Sequence, residues 1–179
     1  VAVVGLGGVG LAAVPAAIAG GAERVVVTDR LQDKLDFAMT LGATDAFRAD
    51  DPHVVAAVKA ATRGGVDAAV ELAGSAKALE LAYAITRRGG TTVTGGLPNP
   101  SAMFSIPAVS LVAEERTIKG SYIGTCVPTR DLPRMIGLYK RGRLPVDRLL
   151  THRVGLDDIN LAMDRLRDGS AIRQVITFD

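Results

Sequence analysis

Val1-Ala2-Val3-Val4-Gly5-Leu6-Gly7-Gly8-Val9-Gly10 opens the chain, and this stretch decides the fold. The first four residues form an apolar run without polar alternation, as expected of a parallel strand buried on both faces. The run passes into G-x-G-x-x-G, and Val9–Ala19 then reads as a helix ended by Gly20-Gly21. A glycine motif between a strand and a helix is the context of a dinucleotide-binding turn. Gly5 permits the sharp turn, Gly7 lets a pyrophosphate approach the backbone, and Gly10 lets the helix pack on the sheet. Leu6, Gly8 and Val9 complete the turn, whose N–H groups would meet the phosphates at the helix N-terminus.

Outward from this turn the strand–helix rhythm repeats. Arg24–Thr28, Asp45–Phe47, Asp67–Val70 and Gly90–Thr94 read as strands. Leu31–Leu41, a stretch N-capped by Asp51 with Pro52 at its first position and ending near Thr62, and Ala76–Ile85 read as helices. Pro15 removes a hydrogen bond inside the first helix and should bend it near Leu11. The alternation predicts right-handed parallel crossovers with helices on both faces, a Rossmann-type doubly wound α/β sheet. Beyond Gly95 the spacing loosens. Pro107–Val112 is a short helix, Thr117–Lys119 a sixth strand, Asp131–Lys140 and Asp157–Arg167 helices, and Leu150–Val154 and Arg173–Phe178 strands. We therefore expect a cofactor domain over residues 1–123 and a C-terminal α/β return segment over 124–179.

Asp29 ends the second strand, nineteen residues after Gly10. A carboxylate there can accept from the adenosine ribose hydroxyls and repel a 2′-phosphate, or it can cap the helix from Leu31. Arg30 beside it is ambiguous, since an arginine at this place can receive a 2′-phosphate. The aspartate favours NAD over NADP.

Several function classes are disfavoured. Net charge is +2, and only 4% of the 179 residues are aromatic, so nucleic-acid binding is not expected. Val1–Ala22 carries no charge, but its glycines and Pro15 argue against a membrane span, and no charged stretch precedes it as in a signal peptide. Cys126 is the single cysteine, which fits a reducing cytoplasm. His53 and His152 lack companions at metal-ligand spacing, and the carboxylate pairs Asp50-Asp51 and Asp157-Asp158 fall at helix starts, where capping accounts for them. None of Tyr83, Tyr122 and Tyr139 is followed four residues later by lysine, which removes the Tyr–Lys pair of short-chain dehydrogenases. We expect neither a catalytic set nor metal ligands within this chain.

Taken together, the segments resemble the medium-chain zinc-dependent alcohol dehydrogenases. The carriers are GLGGVG at Gly5–Gly10, VVVTD at Val25–Asp29, LGATDAF at Leu41–Phe47, GVDAAVELAGS at Gly65–Ser75, GGTTVTGGLP at Gly89–Pro98 and IKGSYIG at Ile118–Gly124. The tail matches too, at Asp147–His152, Leu156–Asn160 and Ile172–Phe178. The resemblance implies that Lys34 reaches the adenosine ribose and that Leu72 and Ala73 line its adenine side. It also implies that Gly95, Gly96 and Leu97 lie along the nicotinamide and that main-chain groups of Ser121 and Ile123 bond the carboxamide. Arg173 would reach across to the pyrophosphate.

In that family the zinc ligands and proton relay lie mostly in an N-terminal half, and no such half precedes Val1 here. The chain is therefore expected to be the cofactor-binding part of a longer NAD-dependent enzyme. Its zinc would polarise an alcohol oxygen while hydride passes between an alcohol or its aldehyde or ketone and the nicotinamide. The alternative is a non-catalytic NAD-sensing regulatory domain. The apolar run Ala102–Ile106, with Met103, Phe104 and Ile106, is expected to pair edge strands across a homodimer.

Overall fold

The computed structural model describes residues 1–178. Its strands are β1 (Ala2–Val4), β2 (Val26–Asp29), β3 (Asp45–Arg48), β4 (Val66–Glu71), β5 (Thr86–Thr94), β6 (Thr117–Gly120), β7 (Leu150–Val154) and β8 (Arg173–Ile176). The helices are α1 (Gly8–Ala19), α2 (Gln32–Thr40), α3 (Val54–Ala61), α4 (Ala76–Ile85), α5 (Ala108–Ala113), α6 (Pro128–Lys140) and α7 (Ile159–Asp168). The first six strands form one sheet in the order β3-β2-β1-β4-β5-β6, and β7 pairs with β8 in a second. Neighbouring strands are parallel throughout, as the alternation predicted.

Alternate strand residues enter opposite layers. Val3, Val25 and Val27 pack with Leu6, Leu11, Val14 and Leu35 beneath α1 and α2. Ala2, Val4 and Val26 pack with Val54, Val58, Ala82 and Ile85 beneath α3 and α4. Both faces of β1 and β2 are thus dry, which explains why their sequences show no polar alternation. Strand order reverses between β1 and β4, leaving a crevice at their carboxyl ends.

The C-terminal segment closes onto this sheet. Leu149 belongs to the core cluster beneath α1 and α2, and Ile172 packs against it. Neither helix has a basic residue in its last turn. Arg143 instead donates to the Ala19 carbonyl at the end of α1 (2.9 Å), and Arg148 to the Thr40 carbonyl at the end of α2 (3.0 Å). Two cations distant in sequence thereby satisfy helix C-terminal carbonyls and meet the negative ends of both dipoles.

Two expectations change. Asp51 does not cap α3 by opening a helix at Pro52: its carboxylate accepts from the His53 N–H (2.7 Å), and the helix begins only at Val54. An aspartate side chain that bonds the N–H two residues on forms a turn in competition with helix. β5 starts at Thr86, not Gly90, directly after α4, with an irregularity in its register against β4 between Val66 and Ala68. Residues 102–106 pair with no strand in the monomer, although the Ser105 N–H donates to Glu80 Oε1 (2.8 Å).

Candidate functional site

The glycine turn owes its shape to close approaches. Gly5 has φ +92°, and a Cβ there would lie 2.6 Å from the Ala73 nitrogen. A Cβ on Gly10 would overlap the Gly5 carbonyl oxygen, so α1 can start this near β1 only with glycine. Gly7, the N-cap of α1, is different: it is exposed, and nothing would lie within 4 Å of a Cβ placed on it. No side chain caps α1, and its first turn holds no acidic residue. The N–H groups at this end are therefore available to an anion, which the helix dipole would favour.

Arg173 lies over this end. A Cβ on Gly8 would sit 3.9 Å from both Cγ and Nε of Arg173 and 3.1 Å from the Ile172 carbonyl oxygen. The arginine is exposed, and no carboxylate lies within salt-bridge distance of it among the described residues. Strand β8 thus carries a free guanidinium to the helix N-terminus from the far end of the sequence.

Asp29 performs a structural task at the same place. Its Oδ2 accepts from the Leu6 N–H (2.7 Å) and its Oδ1 from the Leu31 N–H (3.0 Å). It therefore ties the glycine turn to the start of α2. A carboxylate has about four lone-pair sites, so two backbone bonds leave room for ribose hydroxyls. Beside it lies a cleft of about 450 Å³, lined among others by Gly5, Asp29, Arg30, Asp50, Ser75 and Lys77. The Arg48 guanidinium bonds Asp50 (2.9 and 2.7 Å) and holds its carboxyl below the usual carboxylate range. Lys34, in the first turn of α2, does not line this cleft.

The other predicted residues fall at the same edge of the sheet. Leu72 and Ala73 follow β4, Gly95, Gly96 and Leu97 follow β5, and Ser121 follows β6. The Leu72 N–H donates to Val4 O (2.8 Å), and the Ser121 N–H to Thr94 O (2.8 Å). The Ser121 N–H is thus occupied, which leaves its carbonyl as the main-chain group free to face a ligand. Ile123, with φ +50° and a largely exposed side chain, sits in a 3₁₀ turn just beyond. From Asp29 on β2 to Ser121 beyond β6, the candidates span four strand spacings, roughly 19 Å at about 4.8 Å each.

Sequence reasoning missed Glu71 and Asp50. Glu71 closes β4 and is only 1% exposed. Its Oε1 accepts from the Gly74 N–H (2.6 Å) and its Oε2 from the Thr94 hydroxyl (2.8 Å), while its carbonyl accepts from Gly95 and Gly96 (2.9 and 3.2 Å). The available signal was a lone acid ending an apolar strand, since a buried charge requires partners. Asp50 was read only as one of a carboxylate pair near a helix start.

Residues 8–141 match the family model for zinc-binding dehydrogenases. The chain belongs to that family. It is 40% identical over 176 residues to putative alcohol dehydrogenase D of Mycobacterium tuberculosis, covering 96% of this chain and 48% of that protein. It is 38% identical over 181 residues to geraniol dehydrogenase of Castellaniella defragrans, covering 99% and 48%. Among solved structures it superposes on benzyl alcohol dehydrogenase of Acinetobacter calcoaceticus with a TM-score of 0.95 at 30% identity, covering 99% of this chain and 49% of that one. A zinc-binding alcohol dehydrogenase domain protein of Burkholderia ambifaria also gives 0.95, at 31% identity, with coverage of 99% and 48%.

The zinc-binding dehydrogenase chain thus spans about half the length of the curated relatives it matches. These relatives are named as dehydrogenases and lend no support to a regulatory role. Among the described residues no group of three His, Cys, Asp or Glu side chains could hold a metal ion. The described side chains therefore do not by themselves make a zinc site. No described helix is long and apolar enough to cross a membrane.

Proposed function

We propose that this chain is the NAD-binding part of a zinc-containing alcohol dehydrogenase that transfers hydride between a primary or secondary alcohol, or its aldehyde or ketone, and the nicotinamide. The observation that supports this reading is that the candidate residues follow neighbouring strands at one end of the sheet across the switch point, with Arg173 beside the uncapped N-terminus of α1. In this reading Gly8 and Val9 offer backbone N–H groups to the pyrophosphate, Gly7 lets it approach and Arg173 closes over it, while Leu6, whose N–H is held by Asp29, only shapes the turn. Asp29 accepts from the adenosine ribose, assisted by Lys34 and with Arg30 beside it, while Leu72 and Ala73 line the adenine side. Gly95, Gly96 and Leu97 border the nicotinamide, with the Ser121 carbonyl and the main chain of Ile123 toward its carboxamide. When bound, the nicotinamide supplies the hydride chemistry, and this chain binds and orients it.

Residues 1–123 would form the cofactor unit, and 124–179 the segment that completes a catalytic half whose zinc ligands lie outside this chain. We further propose a cytoplasmic homodimer paired through residues 102–106, where Met103 and Phe104 are exposed and no strand of the monomer covers the run. Titration calorimetry with NAD tests the core of this reading. The chain should bind NAD yet show no steady alcohol oxidation, with or without added zinc. Absence of NAD binding refutes the cofactor assignment, and turnover by the purified chain refutes the division of labour.

A further inference from the structure

We infer that Glu71 is a positioning residue for the nicotinamide half of the site, an inference that rests on the NAD reading above. Its side chain is a fully enclosed carboxylate on the strand next to the switch point, and its hydrogen bonds run to neither the glycine turn nor Asp29. Its partners belong to the two loops that would border the nicotinamide. Oε1 holds the Gly74 N–H of the loop after β4, and Oε2 holds the hydroxyl of Thr94, the last residue of β5. The Glu71 carbonyl takes the N–H groups of Gly95 and Gly96. One residue therefore satisfies four donors and clamps the β4–α4 loop against the β5–α5 loop.

The clamp is close-fitting. A Cβ on Gly96 would lie 2.9 Å from Glu71 Oε2, and a Cβ on Gly74 would lie 3.0 Å from the Leu97 carbonyl oxygen. Leu97 is 79% exposed, so little besides this backbone contact locates it. Without the carboxylate the Gly74 N–H and the Thr94 hydroxyl lose their acceptors, and the Gly95–Leu97 backbone loses the wall it rests on. The adenosine and pyrophosphate ends are fixed by other bonds, those from Leu6 and Leu31 to Asp29. Loss of Glu71 should thus be felt by the nicotinamide and not by the remainder of the dinucleotide.

The test compares NAD with ADP-ribose, which lacks the nicotinamide, by calorimetry on the full chain. Glu71→Ala should weaken NAD by about tenfold or more and change ADP-ribose by less than about twofold. Glu71→Gln can turn its oxygen to the Gly74 N–H and donate its amide to the Thr94 hydroxyl, so it should keep NAD within about threefold of wild type. Thr94→Val removes one of the bonds at similar volume and should weaken NAD alone by roughly threefold. A parallel loss of both ligands, no loss of either, or a glutamine variant that behaves like the alanine variant overturns the inference. Should Glu71→Ala prove insoluble, Thr94→Val decides, and an unchanged NAD-to-ADP-ribose ratio there overturns it. A wild-type chain that fails to bind NAD overturns the dinucleotide reading itself, and this inference with it.

Discussion

Replacing Asp29 by alanine separates its structural task from its proposed recognition task. The substitution leaves two N–H groups without their acceptor, those of Leu6 and Leu31. The Leu31 N–H is exposed and water replaces the bond at little loss. Leu6 is fully buried, and an orphaned N–H there costs about 1–3 kcal/mol. A chain of this size should then lose roughly 2–4 °C of Tm for each kcal/mol. Recognition adds a second effect. A charge-assisted bond to the ribose is worth about 1.5–3 kcal/mol, so NAD affinity should fall roughly tenfold to a hundredfold. NADP should hold its affinity or gain, because the carboxylate no longer repels its 2′-phosphate and Arg30 is exposed beside it. A thermal melt cannot discriminate, since the structural bonds alone predict destabilisation. The ratio of the two dissociation constants can, because any distortion of the glycine turn weakens both dinucleotides equally and cancels. Both constants should be measured by calorimetry at 25 °C, where native protein dominates. An unchanged ratio would refute the ribose role and with it the preference for NAD.

Gly7→Ala should leave Tm within about 2 °C of wild type, since open space surrounds the added methyl, but weaken NAD about tenfold by blocking the phosphates; Gly10→Ala should instead destabilise the fold by about 3 kcal/mol or more in a chemical melt. Arg173→Ala should weaken NAD roughly tenfold and flatten the salt dependence of binding, both read by calorimetry across ionic strength. Asp131 titrates at about 2, chiefly because the Arg130 guanidinium bonds it and then because it accepts from the Val127 N–H at the start of α6. A folded value below the ordinary 3.8 stabilises the native state above that pH and is lost as pH falls toward about 2, so Asp131→Asn should melt lower than wild type at pH 7, with the gap closing between about pH 4 and pH 2 by circular dichroism. Sedimentation at micromolar concentration should show a dimer that Phe104→Lys dissociates; a wild-type monomer counts against pairing through 102–106.

Much of this molecule was legible in one dimension. Strand-like runs without polar alternation, glycines at helix boundaries and the G-x-G-x-x-G turn are local signals, each produced within about a dozen residues. They determined the parallel α/β sheet, the end of it at which a ligand would sit, and the placing of Asp29 at the tip of β2. Tertiary structure alone decided which distant groups meet there. Arg173 comes to Gly8, and Arg143 and Arg148 to the ends of α1 and α2, through packing of a segment more than a hundred residues away. The bond that ties Asp29 to the glycine turn was equally hidden, since spacing suggests either a cap or a ribose contact and only the folded turn shows the Leu6 N–H directed at it. Asp51 was misjudged because a local side-chain turn and a helix cap compete for the same residue, and here its carboxylate takes the His53 N–H. Glu71 was passed over because burial is not a property of a residue type: an acid at the end of a strand is solvated or enclosed according to what the next loops bring over it.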